Sequence, residues 1–207
     1  MSPGGPSSVP SHRPPRTAAE WVARYPDDSP PASSAGAAVV AVLRDGPDDV
    51  EVLLIERANH PEDPAPGQVA LPGGRVDRAD GTLRATALRE LEEEVGLGPN
   101  DLRGPPRFVR IASAPRFRME VGVFTAELSR SAPAPQPGDL REVAHVFWFP
   151  RPALDRSETY RTPTHRGVLE VPAHPFDGHI LWGFTRRIVR DFFEYPPDAD
   201  PTSPRPS

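Results

Sequence analysis

The chain of 207 residues has no cysteine, and every one of its 24 long-chain cations is arginine. Without cysteine there are no disulfides, no thiol nucleophile and no thiolate metal site, and a reducing cytoplasm is the expected location. No apolar run approaches the roughly 18 residues that a membrane helix needs. The first residues also lack the apolar stretch of a secretory signal, so no membrane association is expected. A net charge of −5 gives no general drive toward nucleic acid. The absence of lysine is in keeping with a coding bias toward arginine, although the planar guanidinium fork also suits phosphate oxygens. Hydrophobic residues make up 37% of the chain, enough for one core but lean for the whole length.

What is abundant is proline, at 30 residues, much of it near the two ends. MSPGGPSSVPSHRPPR and YPPDADPTSPRPS have little to bury and cannot offset the entropy of ordering. The composition therefore predicts a disordered tail over 1–35, one domain over 36–195 and a second tail over 196–207, with TAAEWVARY (17–25) as a short helix inside the first tail.

Within the domain, AAVVAVL (37–43) and VEVLLIERA (50–58) flank the turn cluster RDGPDD and read as a β-hairpin. GQVALPGG contains a short strand ending in a tight turn. Thr82 to Val95 has Leu83, Ala87, Leu91 and Val95 at four-residue spacing and reads as a helix. Asp80 or Thr82 is placed to cap its start and Gly96 to close it. FVRIASA (108–114), MEVGVFTAEL (119–128) and EVAHVFWFP (142–150) read as strands, SAPAPQPG as a loop, 151–156 as a short helix and VLEVPAHP as a weak strand. Leu181 to Phe193 reads as a terminal amphipathic helix. Mixed strands with an early and a late helix point to an α+β fold with an α/β/α sandwich.

The first helix carries Glu90, Glu92, Glu93 and Glu94 just after Pro72-Gly73-Gly74. At about 100° per residue, Glu90 and Glu94 fall within about 20° of Leu83. Glu93 lies one step further round and Glu92 points away. Three carboxylates on one edge of the apolar stripe should not all stay ionised without positive charge among them. Arg89 reaches Glu93 at i+4 but cannot serve all three. Either the edge is a solvated face, or a hard cation such as Mg²⁺ sits there, for which carboxylate oxygens are apt ligands. Gly73 and Gly74 let the backbone approach a ligand closely.

The segment resembles the Nudix box of Nudix hydrolases. Arg89-Glu90-Leu91-Glu92-Glu93-Glu94-Val95-Gly96-Leu97 matches its second half and Gly74 its first glycine. Asp80 stands where the box has its first Glu, with eight residues rather than seven before Arg89. Together with Asp77, Gly67-Gln68-Val69-Ala70-Leu71, Thr86-Ala87-Leu88-Arg89-Glu90 and Trp182-Gly183-Phe184-Thr185, this departure resembles the coenzyme A pyrophosphatase branch. Upstream, Leu53, Leu54 and Arg57 fit that branch, whereas Asp63 and Ala65 occupy places where it has Arg and His.

The resemblance implies a Nudix fold with a mixed sheet, Mg²⁺ or Mn²⁺ as cofactor, and a small-molecule nucleotide substrate split at its pyrophosphate. It also suggests a homodimer. It implies Glu90, Glu94 and Glu93 as metal ligands, with Glu93, Glu94, Arg89 and Glu142 in the catalytic group. Of these, Glu93 or Glu142 would act on the water and Arg89 would orient the carboxylates. Gly73, Gly74, Arg57 and Arg75 would border the cofactor and phosphates, Gly73 through its carbonyl. Asp80 is expected to cap or anchor the loop. Coenzyme A or an acyl-CoA is the expected substrate; ADP-ribose, a dinucleotide, a nucleoside triphosphate or a non-catalytic sensor role are the alternatives.

Overall fold

The computed structural model describes residues 14–60, 65–164 and 167–195. The expected tails over 1–13 and 196–207, and Asp63, lie outside the described residues. Strands β1 (Ala37–Asp45) and β2 (Val50–Arg57) form the expected hairpin, but only its turn end is paired, with Leu43 opposite Val52. Beyond that point the two strands splay. Ile55 and Glu56 of β2 pair with β3 (Val69–Ala70), while Ala37 to Val39 of β1 pair with β4 (Gly73–Arg75). The segment from Val69 to Arg75 thus fills the fork between them.

The other edge of β1 runs parallel to β6 (Met119–Glu127), which is antiparallel to β5 (Arg107–Ala114). The free edge of β2 takes β7 (Val143–Pro150). The result is a mixed seven-stranded sheet. A separate three-stranded antiparallel sheet comprises β8 (Glu158–Thr164), β9 (Gly167–Phe176) and β10 (His179–Trp182).

Alternation along the strands gives the main sheet two apolar faces. Ala38, Val40, Val42, Leu53, Ile55 and Phe124 meet Leu83, Ala87, Leu91 and Val95 of helix α2 (Leu83–Val95). Ala41, Leu43, Val52, Leu54 and Val123 face a second core containing Trp21 and Val22 of α1 (Ala18–Ala23) and Ile188, Val189 and Phe192 of α3 (Gly183–Glu194). Helices on both faces of a mixed sheet make the α/β/α sandwich.

Three expectations need correction. The segment 14–35 is not a tail. Thr17 and Glu20 close a capping box on α1, Trp21 is only 4% exposed, and Tyr25 stacks on Phe192 at 5.4 Å. The proline-rich average hid the apolar side chains of AAEWVARY. Helix α2 is capped by Thr82, whose hydroxyl accepts from the Ala85 N–H at 3.2 Å, and not by Asp80; Gly96 closes it at φ 70°. Leu181 and Trp182 belong to β10, so α3 begins at Gly183. Strand β8, ETYRTPT, is polar and contains a proline, and it left no alternating apolar signal.

Candidate active site

Helix α2 lies over the fork and turns two carboxylates toward the β4 turn. Glu94 follows Leu91 by one helical turn, which carries it inward; it is 6% exposed. Its Oε2 accepts from the Gly73 N–H at 2.8 Å. The Gly73 group that meets this carboxylate is the amide. Gly73 has φ 148°, and a Cβ there would lie 2.3 Å from the Ala38 carbonyl oxygen. A Cβ on Gly74 would lie 2.4 Å from the Glu90 carboxyl carbon. Gly73 is needed because the chain passes against β1 at a positive φ, and Gly74 because it passes directly against the Glu90 carboxylate.

Arg89 is the hub of the surrounding charges. Its Nη1 donates to Glu90 Oε1 at 2.9 Å and to Glu93 Oε2 at 3.0 Å. Its Nη2 donates to Asp80 Oδ2 at 3.1 Å and to the Arg75 carbonyl at 3.0 Å. Asp80 also accepts from the Thr86 hydroxyl and the Asp77 N–H, both at 2.9 Å. It anchors the loop, and the bond from Arg89 holds its carboxyl below the usual carboxylate range. Arg89 thus binds Glu90 as well as Glu93, while Glu94 has the Gly73 amide as its hydrogen-bond partner. Glu93 sits on the rim with its side chain 59% exposed, and Glu92 faces solvent.

Glu94 is left with little positive charge. Arg57 Nη1 stands 3.8 Å from its Oε1, beyond hydrogen-bond length. Burial, reinforced by Glu90 and Glu142, pushes the Glu94 carboxyl up to about 7 despite the Gly73 amide and Arg57. Burial also raises Glu90, even with Arg89 bound to it.

Glu142 reaches the same field from outside the helix. The loop before β7 is pinned to the end of α2: Gln136 N–H donates to the Val95 carbonyl at 3.1 Å, and Gly138 N–H to the Glu94 carbonyl at 2.9 Å. A Cβ on Gly138 would lie 1.8 Å from the Glu93 carbonyl oxygen. Gly138 was missed in the sequence because SAPAPQPG reads as ordinary loop composition. The Arg75 side chain is exposed, and only its carbonyl takes part in the network.

Among the described residues no three acidic or histidine side chains form a ready-made metal cage. Arg89 holds Glu90 and Glu93, while Gly73 holds Glu94. The donor set nonetheless fits a hard cation. It is all oxygen, and its two inner carboxyls are raised by burial.

A box of carboxylates on a helix over a glycine turn, set in the fork of a mixed sheet, defines a class. Residues 34–171 match the family model of the NUDIX domain, and the chain belongs to the Nudix family. An uncharacterized Nudix hydrolase, NudL, of Yersinia enterocolitica is 31% identical over 185 residues, covering 84% of this chain and 91% of that protein. NudL of Yersinia pestis is 33% identical over 144 residues, covering 67% of this chain and 69% of its own length. A NUDIX hydrolase structure from Alicyclobacillus acidocaldarius superimposes with a TM-score of 0.50 at 21% identity, over 77% of this chain and 91% of that one, a likeness of fold. Among the described residues no helix is long and apolar enough to cross a membrane.

Proposed function

We propose that this chain is a Mg²⁺- or Mn²⁺-dependent pyrophosphohydrolase of nucleoside diphosphate derivatives. Its proposed substrate is coenzyme A or an acyl-CoA, giving 3′,5′-ADP and (acyl-)4′-phosphopantetheine. The observation that carries the reading is the buried Glu94 carboxylate, set against the Gly73 amide beside Glu90, with Arg57 3.8 Å away. Glu90 and Glu94, with Glu93 at the rim, would hold the metal. Bound there, it supplies positive charge to phosphate oxygens and lowers the pKa of a water.

The chain's own groups do the rest. Arg89 fixes the angle of Glu90 and Glu93 and ties the helix to the glycine loop through Asp80 and the Arg75 carbonyl. Arg57, at the open end of the fork and 3.8 Å from Glu94, would meet a phosphate oxygen. Glu93 or Glu142 takes a proton from water as its oxygen bonds to one phosphorus. The bridging oxygen leaves with the other phosphate.

The substrate assignment rests on the Gly67–Leu71, Thr86–Glu90 and Trp182–Thr185 segments. Ala65, buried and without a side-chain donor, favours a second reading in which ADP-ribose or a dinucleotide is cleaved instead. The test is purified protein with coenzyme A and Mg²⁺, the products separated by chromatography. Formation of 3′,5′-ADP, lost in Glu94→Gln, supports the first reading. Cleavage of ADP-ribose or a dinucleotide alone supports the second. No cleavage of any of them overturns the hydrolase reading.

A further inference from the structure

The last turn of α2 is completed by a loop that lies some forty residues further along the chain. A helix leaves its final carbonyls without intrahelical donors. In α2 the Glu94 carbonyl accepts from the Gly138 N–H at 2.9 Å and the Val95 carbonyl from the Gln136 N–H at 3.1 Å. Segment 136–138 therefore caps the helix that carries Glu90, Glu93 and Glu94. The fit leaves no slack. A Cβ on Gly138 would stand 1.8 Å from the Glu93 carbonyl oxygen, a backbone atom that cannot swing aside.

The same loop is tied to the other wall of the fork. The Asp139 carbonyl accepts from the Glu142 and Val143 N–H groups at 3.0 and 2.9 Å, which closes a tight turn. The Arg141 guanidinium folds back onto the Asp139 carboxylate and stiffens it. Past that turn the Glu142 carbonyl accepts from the Ala58 N–H at 2.8 Å, and Ala58 follows Arg57, the side chain 3.8 Å from Glu94. Residues 136–143 thus form a bracket from the end of α2 to the end of β2, with Glu142 on its span. Glu142 is near enough to both inner carboxyls for its charge to raise them. Gly138 has no side chain to offer the fork, so it can act there only through the bracket.

We infer that Gly138 is a positioning residue: by letting the loop lie directly on the Glu93 carbonyl, it sets how far Glu142 stands from the carboxylates of α2. This rests on the pyrophosphohydrolase reading, in which Glu142 belongs to the catalytic group. Any larger residue must lift the loop. Opening 1.8 Å to an ordinary contact of 3.4 Å takes a shift of about 1.6 Å, and a displacement near 1 Å can cost about a hundredfold in rate.

The experiment is a double-mutant cycle of Gly138→Ala and Glu142→Gln in the full chain, read in two ways. With coenzyme A and Mg²⁺, Gly138→Ala lowers kcat about a hundredfold at unchanged KM, the pattern of an interaction made in the transition state. In the Glu142→Gln background it adds less than about twofold, because nothing is left to position. The second readout is Mn²⁺ affinity without nucleotide, followed by electron paramagnetic resonance. Glu142→Gln weakens Mn²⁺ about threefold, the scale of a partly exposed charge lost nearby; Gly138→Ala weakens it in the parent and not in the Glu142→Gln background. Additive losses in either readout, or parent kcat and parent Mn²⁺ affinity in Gly138→Ala, overturn the inference. A parent that cleaves no nucleotide loses the hydrolase reading, and the Mn²⁺ cycle then decides the positioning role. If circular dichroism shows Gly138→Ala unfolded, Gln136→Pro takes its place in the cycle, since it deletes the other amide anchor.

Discussion

Glu94→Gln separates charge from shape at the centre of the site. The Glu94 carboxyl has its pKa raised from 4.5 to about 7, chiefly by burial. Below about pH 4.5 it is protonated whether the chain is folded or not, and its burial carries no ionic cost. Between there and pH 7 the unfolded chain gives up the proton while the folded one retains it. The metal-free protein should therefore lose stability as pH rises through this window and level off above it. Each tenfold change in proton affinity is worth about 1.4 kcal/mol, so the loss from this group is about 3 kcal/mol. Glu90 is raised as well and adds a slope of the same sign. Asp80 and Asp49, whose carboxyls are lowered by Arg89 and Arg151, lose their contribution only in more acid solution.

Glutamine keeps an oxygen for the Gly73 amide and deletes the buried charge. In chelator at pH 8 the variant should melt about 6–12 °C above the parent, at 2–4 °C per kcal/mol for a domain of this size. Saturating Mg²⁺ should close most of that gap. A ligand at a hundred times its Kd adds about 2.7 kcal/mol, and only the parent retains the Glu94 carboxylate. Turnover in the variant should fall at least about a hundredfold. Melting curves across pH 5–8, with and without Mg²⁺, read all of this. Parallel pH profiles for the two proteins, or equal gains from Mg²⁺, would refute the argument that Glu94 is the uncompensated charge and the cation's main anchor.

Gly74→Ala puts a methyl carbon 2.4 Å from the Glu90 carboxyl carbon; kcat should fall about a hundredfold, as a displacement near 1 Å can produce, while circular dichroism stays native. Arg89→Lys offers one ammonium where Asp80, Glu90, Glu93 and the Arg75 carbonyl are now held together. A loss of about 1–3 kcal/mol and at least tenfold in kcat is expected, and a variant indistinguishable from the parent would remove the hub role. Trp21→Ala should cost about 3–5 kcal/mol in urea unfolding, since Trp21 packs on Phe192 and Phe193; a change within 0.5 kcal/mol, the scale of a surface substitution, would show that α1 is not part of the core.

The parts of the fold that were legible in the sequence are those with a clean period. Leu83, Ala87, Leu91 and Val95 mark α2 and its buried face, and the alternating runs mark β1, β2, β5, β6 and β7. The site was legible for the same reason, because its carboxylates share that helix and Gly73-Gly74 lie close before it. What was hidden depends on contacts far apart in sequence. Nothing in EWVAR announces that Trp21 will find Phe192, because burial of an isolated short helix is decided by its partner. The splaying of β1 from β2, which makes room for β4, cannot be read from two strands that each look regular. The Gly138 contact with Glu93 is likewise tertiary. Glu93 was expected among the inner carboxylates, yet its wheel position carries it past the edge of the core and into solvent.

The use of a guanidinium as hub has a consequence for alkaline behaviour. Bonds to Asp80 and Glu90 raise the Arg89 pKa above an already high value, and the chain has no lysine amine to titrate in its place. Among the described residues the cations beside Glu90 and Glu94 are guanidiniums, which keep their charge well above neutrality. An alkaline limb in the rate profile would then report on groups other than these cations, the bound reactants among them.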